Sequence, residues 1–150
     1  LWMDGPLEFK QMVVWDKGPM GMGWHYRRSY ETVLVGMKRP GPCRWYDQTD
    51  RVENIIRDIP KIIPRDLHHP TEKPERLPAY FIRLHTQPGD LILDPFCGAG
   101  GALVAAKRIG RRAIGIDTDE RWLKMAVERL KHGALWGPWD GGLQLPRAQG

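Results

Sequence analysis

Hydrophobic and polar positions alternate most regularly in the last third of the chain, and their pattern there predicts helices and strands in turn. Leu77, Phe81 and Leu84 recur at helical spacing. Two short apolar runs, at 91–94 and 113–116, predict buried parallel strands that are covered on both faces. Because a helical pattern follows each run, this part predicts a βαβα unit with a right-handed pair of parallel strands.

Two helices belong to this unit, and two further strands precede it along the chain. Its two helices are predicted at 102–109 and 119–131. Nearer the amino end, two runs rich in β-branched and apolar residues, at 11–15 and 31–35, predict strands on either side of a glycine-rich loop at 18–23. Together these elements predict an α/β fold.

The middle and the end of the chain carry weaker patterns. Residues 38–70 are loop-rich and punctuated by prolines, with one short helix or strand predicted around 52–56. A chain of 150 residues is long enough for one compact domain and too short for two. We therefore predict one domain over 1–133, followed by a loose tail over 134–150.

A glycine-rich loop follows the first of the two parallel strands. The segment Asp94–Gly101 contains three glycines, which let a backbone pass close to a ligand. Loops at the carboxyl ends of parallel strands are where open α/β sheets bind ligands. Asp117 ends the next strand 19 positions after Gly98. An acidic residue at such an interval is typical of a carboxylate that binds a ribose.

Several ligands are compatible with this loop to different degrees. A dinucleotide fingerprint needs a third glycine where Leu103 stands, and a P-loop needs a Gly-Lys-Ser/Thr ending that the chain lacks. The loop favours a nucleoside without phosphates, whose ammonium group meets Asp94, and S-adenosylmethionine is such a ligand. Dinucleotide binding and a purely structural turn remain open on the loop alone.

Composition narrows the class of protein further. The chain is 41% hydrophobic and 27% charged, which is ordinary for a globular protein. No run approaches the roughly 20 apolar residues of a membrane span, so an intracellular protein is predicted. The net charge of +5 permits a polyanionic partner. Cys43 and Cys97 lack the spacing of a metal site, and His68 and His69 are expected to be loop residues.

Several segments resemble the motifs of β-type DNA amino-methyltransferases, which methylate adenine N6 or cytosine N4. They follow one another along the chain in the order that is typical of the β-type enzymes. Asp94-Pro-Phe-x-Gly-x-Gly is similar to their first cofactor motif, and His69-Pro-Thr-Glu-Lys-Pro74 to the H-P-T-x-K-P segment before it. Gly115-Ile-Asp117 resembles the strand end that holds the ribose. Val13–Lys17 and Tyr26–Glu31 resemble the paired sheet segments that follow the family's catalytic motif.

The resemblance implies a Rossmann-like fold that binds S-adenosylmethionine. Thr71 and Lys73 are expected to line the methionine end of the cofactor, and Asp94 to receive its ammonium group. The assignments of Thr71 and Lys73 come from the family motifs alone, whereas the loop itself also favours that of Asp94.

The remaining cofactor assignments concern the nucleoside end. Phe96 is expected to pack against the cofactor, and Gly98 and Gly100 to leave room for it. Asp117 is expected to accept hydrogen bonds from both ribose hydroxyls. In one departure from the family, Gly101 stands where a threonine is usual, which removes a hydroxyl that can cap the helix.

The resemblance also implies an activity and a partner. The parent enzyme would transfer a methyl group to an exocyclic amine of double-stranded DNA, as in restriction-modification systems, in the cytoplasm of a bacterium or archaeon or as a phage product. Residues 38–70 are the candidate segment for contact with the target. Two alternatives are a remnant that binds cofactor or DNA without catalysis, and a methyltransferase for small molecules or proteins.

The catalytic motif of the family is missing from this sequence. That motif, Asp/Asn/Ser-Pro-Pro followed by an aromatic residue, holds the target amine and stacks on the flipped base. The chain contains no Pro-Pro pair, and Asp94-Pro95-Phe96 occupies the cofactor position instead. We therefore predict that the chain is amino-terminally incomplete, contains no catalytic residue and is inactive alone.

An incomplete chain has a structural consequence. The strand that ends in the catalytic motif would lie beside the strand at 91–94, so its absence predicts an incomplete sheet with a gap. Unpaired backbone at a sheet edge is costly and prone to association. We therefore expect the isolated chain to be unstable, to pair with another copy or to rearrange.

Overall fold

The computed structural model describes residues 7–21, 23–48, 51–62 and 72–132. Its strands and helices, in chain order, are β1 (Leu7–Asp16), β2 (Tyr30–Lys38), β3 (Ile55–Ile56), α1 (Arg76–His85), β4 (Leu91–Asp94), α2 (Gly101–Arg108), β5 (Arg112–Gly115) and α3 (Glu120–His132). The strands form one sheet of three strands and one of two.

The first sheet is built on the predicted amino-terminal strands. β1 and β2 form an antiparallel hairpin in which Val13 pairs with Val33, and both strands are longer than predicted. The two residues of β3 pair in parallel with Val14 and Trp15 of β1. The short element predicted around 52–56 is therefore a strand.

The second sheet is the predicted βαβα unit. β4 pairs in parallel with β5, with Leu93 opposite Ile114. Helix α2 contacts both strands, and α3 packs against α2. A Cβ atom on Gly115 would lie only 2.5 Å from Leu103 Cδ1, so α2 sits very close to the sheet on this face.

The prediction that both faces of these strands are buried is wrong. The face that carries Leu91, Leu93, Ile114 and Ile116 is 49–60% exposed at these four side chains. No helix in the described part of the chain covers this face, because α2 contacts the opposite one. The apolar runs therefore form strands that are covered on one side only, by α2, and Ile92 and Gly115 on that side are half-buried.

A hydrophobic core connects the first sheet to the helices. Trp15 of β1 is 2% exposed, and its indole Nε1 donates to the carbonyl oxygen of Ile59 over 2.6 Å. Leu77 and Tyr80 of α1 belong to the same buried cluster, as does Ala105 of α2. The core thereby places α1 between the hairpin and the glycine-rich loop.

No strand pairing joins the two sheets in the part of the chain that the structure describes. Among the described residues, β4 pairs with β5 alone, and β2 pairs with β1 alone. The incomplete sheet predicted from the sequence is therefore present. None of the described helices is long and apolar enough to cross a membrane. The predicted tail over 134–150 lies outside the described residues.

Candidate functional site

The loop between β4 and α2 is shaped by hydrogen bonds between its own residues. The carboxylate Oδ1 of Asp94 accepts a hydrogen bond from the Phe96 amide over 3.1 Å. Further along, the amide of Gly100 donates to the carbonyl of Cys97 over 2.8 Å. These two turns place the carboxyl group of Asp94 at the end of the strand, directly before the glycines.

The glycine at position 100 is required by helix packing. Its φ angle is +80°, and a Cβ atom there would lie 2.7 Å from Ala126 Cβ on α3. An L side chain at this position is therefore both strained and blocked. The expected role of Gly100 was to leave room for the cofactor, but its nearest constraint in the structure is α3.

Asp117 holds the loop from the neighbouring strand end. Its Oδ1 accepts from the Asp119 amide over 3.0 Å, and its Oδ2 accepts from the Gly98 amide over 2.8 Å. These bonds, the one from Asp119 first, lower the pKa of Asp117 below its usual range. Because a carboxylate offers about four lone-pair sites, each oxygen retains capacity for a ribose hydroxyl.

A cavity of about 300 Å³ opens between the loop and α1. The predicted site residues on its wall are Lys73, Asp94, Phe96 and Gly98. Phe96 is 86% exposed, so its ring is open to a ligand. Gly100 and Asp117 stand outside the lining, and Thr71 lies outside the described residues.

Lys73 is held by Glu31, which ends one of the motif segments but was given no role in the site. Its Nζ lies 3.0 Å from Oε2 of Glu31 on β2, and Lys17 Nζ lies 3.0 Å from Oε1 of the same carboxylate. Burial raises the pKa of Glu31, but the hydrogen bonds from Lys73 and Lys17 together have the larger, opposite effect. The pKa of Glu31 is therefore below its ordinary value. The hairpin thereby contacts the cavity wall through a shared carboxylate.

The sequence pattern also gave no sign of a charge cluster behind the loop. Arg129 of α3 donates a hydrogen bond to the carbonyl of Ala99 in the loop. Its side chain also contacts Glu72 and Glu75, which are distant in sequence. No local spacing predicts such a cluster, because tertiary folding brings its members together.

Three other kinds of site were considered, namely a reactive thiol, a metal site and a catalytic histidine. Cys97 is buried, and burial, followed by the charges of Asp94 and Asp117, raises the pKa of its thiol, as befits a space-filling residue. The described residues contain no group of three or more side chains that could hold a metal ion. His68 and His69 lie outside the described residues.

The sequence of residues 2–128 matches a protein-family model described as DNA methylase, for the N6 and N4 enzymes. The chain belongs to this family. A match over most of the chain bears out the resemblance drawn from its motifs. It also leaves a methyltransferase for small molecules or proteins without support.

Two relatives are bacterial type II methyltransferases. M2.DpnII of Streptococcus pneumoniae is 37% identical over 118 residues, which are 71% of this chain and 44% of that protein. M2.LlaDCHI of Lactococcus lactis subsp. cremoris is 49% identical over 69 residues, which are 46% of this chain and 26% of that protein. The chain thus spans less than half the length of these relatives.

Solved structures of DNA methyltransferases share the fold. The M1.HpyAVI–SAM complex is 28% identical, with a TM-score of 0.72 over 86% of this chain and 66% of that one. The cytosine-N4-specific PvuII DNA methyltransferase is 18% identical, with a TM-score of 0.70 over 85% of this chain and 53% of that one. The second likeness shows the fold alone. The predicted Rossmann-like methyltransferase fold is confirmed.

Proposed function

We propose that this chain binds S-adenosylmethionine at the loop between β4 and α2 and forms the cofactor half of a DNA amino-methyltransferase. The observation that best supports this proposal is the pair of carboxylates at the ends of adjacent parallel strands. Asp94 and Asp117 flank one glycine-rich loop, and Asp117 is already bonded to the amide of Gly98. Open α/β sheets bind their ligands at this edge.

The chemistry of the two ends of the site matches the two ends of the cofactor. Asp94 and Lys73 lie on the cavity wall. The carboxylate of Asp94 can accept hydrogen bonds from the ammonium group of the cofactor, and Lys73 can donate hydrogen bonds to the carboxylate of the cofactor. Asp117 has lone pairs for the ribose hydroxyls. When bound, the cofactor supplies a methyl group activated by its sulfonium charge. The chain itself binds and orients it.

We propose double-stranded DNA as the partner, contacted in part by the loop between β1 and β2. Trp24 and Tyr26 in this loop are 83% and 92% exposed. The guanidinium of Arg28 has no hydrogen-bond or ion-pair partner in the part of the chain that the structure describes. Exposed aromatic rings beside a cation such as Arg28 suit unstacked bases and phosphates. The predicted target segment at 38–70 stays a second candidate.

The loop between β1 and β2 is connected to the proposed cofactor site. Lys17 at the start of the loop and Lys73 on the cavity wall share the carboxylate of Glu31. The first residue of the loop is therefore tied to the cavity wall through Glu31.

We propose that the chain alone binds cofactor without transferring methyl groups, since its sequence has no Pro-Pro-aromatic motif. Its bacterial relatives support a cytoplasmic location and a role in restriction-modification. They give no better support to the alternative of a non-catalytic remnant. The family includes both adenine-N6 and cytosine-N4 enzymes.

Calorimetric titration with S-adenosylmethionine and with NAD tests the proposal. We expect heat of binding with S-adenosylmethionine and none with NAD. Asp117→Asn should weaken the binding about 10- to 100-fold, because a hydrogen bond to a charged group contributes about 1.5–3 kcal/mol. Incubation with methyl-labelled cofactor and duplex DNA should leave the DNA unlabelled.

Asp16→Asn is the matched control. Asp16 ends β1 and accepts from the Gly18 amide over 3.0 Å, so it is also a carboxylate in a turn at a strand end, but outside the cavity lining. This substitution should leave the affinity unchanged. A folded sample that binds only NAD, or neither ligand, would contradict the proposal.

A further inference from the structure

We propose that Arg129 and Glu72 are positioning residues that hold the glycine-rich loop and Lys73 in place for the methionine half of the cofactor. This inference rests on the proposed function of the cavity. Arg129 lies outside the lining of the cavity, whereas Glu72 belongs to the lining and has its carboxylate paired with Arg129. The proposed role of the pair is to hold the loop and Lys73, not to bind the ligand.

The guanidinium of Arg129 connects both walls of the cavity. Its Nη1 donates to the carbonyl of Ala99 in the loop over 2.9 Å, and lies 2.6 Å from Oε1 of Glu72. Glu72 immediately precedes Lys73 in the chain. One side chain from α3 therefore sets the distance between the loop and the segment that carries Lys73.

These contacts are shielded from water. The side chain of Arg129 is 17% exposed and that of Glu72 is 5% exposed. A charged group at such a depth is tolerated only when it is paired and hydrogen-bonded. The pair is therefore expected to keep one geometry, which is what a positioning role requires.

Two further residues complete the charge balance. Nη2 of Arg129 donates to Oε1 of Glu75 over 2.8 Å, and Oε2 of Glu75 lies 2.9 Å from Nη1 of Arg108. The cluster thus contains two arginines and two glutamates. Arg108 contacts Glu75 without reaching the loop, and so provides an internal comparison.

The Arg129–Glu72 pair acts on the methionine end of the proposed cofactor site more than on its ribose end. Ala99 lies between Gly98 and Gly100, which both have positive φ angles, so its carbonyl orientation determines the course of the loop. Asp117 is instead fixed by the amides of Gly98 and Asp119. Loss of the Arg129–Glu72 pair should therefore disturb the methionine end and spare the ribose end.

Two ligands that differ in the methionine part separate positioning from general stability. S-adenosylhomocysteine carries the amino-acid part, and 5′-methylthioadenosine lacks it. In calorimetric titrations of the full chain, Arg129→Lys and Glu72→Gln should weaken S-adenosylhomocysteine about tenfold or more. Both variants should change the affinity for 5′-methylthioadenosine about twofold or less. The factor of ten corresponds to one lost interaction of about 1.4 kcal/mol.

Arg108→Lys is the matched control, and it should change neither affinity. Glu72→Gln retains the shape of the side chain, so it serves where an Arg129 variant fails to fold, and thermal unfolding checks each sample. Equal weakening of both ligands, or of neither, would overturn the positioning role. An unsubstituted chain that is folded but binds neither ligand would instead overturn the proposed cofactor site.

Discussion

Two neighbouring glycines at the start of α2 have opposite requirements. Gly100 has a φ angle of +80°, and a Cβ atom on it would lie 2.7 Å from Ala126 Cβ. A Cβ atom on Gly101 would come no closer than 3.7 Å, to the carbonyl of Lys73. Identical residues, adjacent in sequence, therefore differ in whether a side chain is tolerated.

Alanine at each position should shift stability in opposite directions. Gly101→Ala should raise the free energy of unfolding by about 0.4–1 kcal/mol, because it reduces the freedom of the unfolded chain. Gly100→Ala should lower it by at least 1 kcal/mol or so, from the left-handed backbone and the clash with α3. Thermal unfolding followed by circular dichroism measures both. Equal shifts in the two variants would contradict the structure.

Residue patterns predicted one part of the site better than the other. Asp94 and Asp117 were predicted because each ends an apolar strand at a spacing typical of nucleoside binding. Arg129 and Glu72 lie 57 positions apart (129 − 72), and no local pattern connects them. Their pairing depends on the tertiary fold, which brings α3 next to the segment that precedes α1.

Elements were predicted more reliably than their burial. The strands β4 and β5 and the helices α2 and α3 lie within one residue of their predicted bounds, and α1 contains the three positions predicted at helical spacing, Leu77, Phe81 and Leu84. The sequence pattern does not reveal how many faces of a strand are covered, because an apolar run is compatible with one or two. Leu93, which was predicted to be buried, is therefore an example of a side chain whose exposure the pattern did not indicate, and it is 60% exposed.

The loop between β1 and β2 allows a test at the scale of one element. Trp24 and His25 form a close ring pair, with centroids 3.8 Å apart, and Tyr26 follows directly. Stacking of a base on an aromatic side chain contributes about 1–3 kcal/mol. Replacing Trp24 and Tyr26 together by alanine should therefore weaken DNA binding at least about fivefold, in fluorescence anisotropy with a labelled oligonucleotide.

Phe9→Ala is the control for this experiment. Phe9 is 50% exposed and lies at the opposite end of β1, so its loss removes a similar ring from elsewhere on the hairpin. DNA binding should be unchanged by it. If the Trp24/Tyr26 double variant binds DNA as well as the unsubstituted chain does, the loop is not a contact surface.

At the scale of the molecule, the two sheets leave apolar surface and backbone uncovered. Leu91, Leu93, Ile114 and Ile116 form one exposed face, next to the edge of β4 that has no strand beside it among the described residues. Monomeric proteins rarely expose a contiguous apolar face beside a free strand edge. Association of the isolated chain is therefore expected from its surface as well as from its sequence.

Sedimentation velocity at increasing protein concentration tests this expectation. The unsubstituted chain should shift to larger species as its concentration rises, and Leu93→Lys should reduce the shift, because a charge at the centre of the exposed face opposes its burial. Val127→Lys places the same charge on α3, at a residue that is 49% exposed and outside that face. The control variant should associate like the unsubstituted chain. A chain that stays monomeric at every concentration, or equal effects of the two lysines, would mean that this face does not drive association.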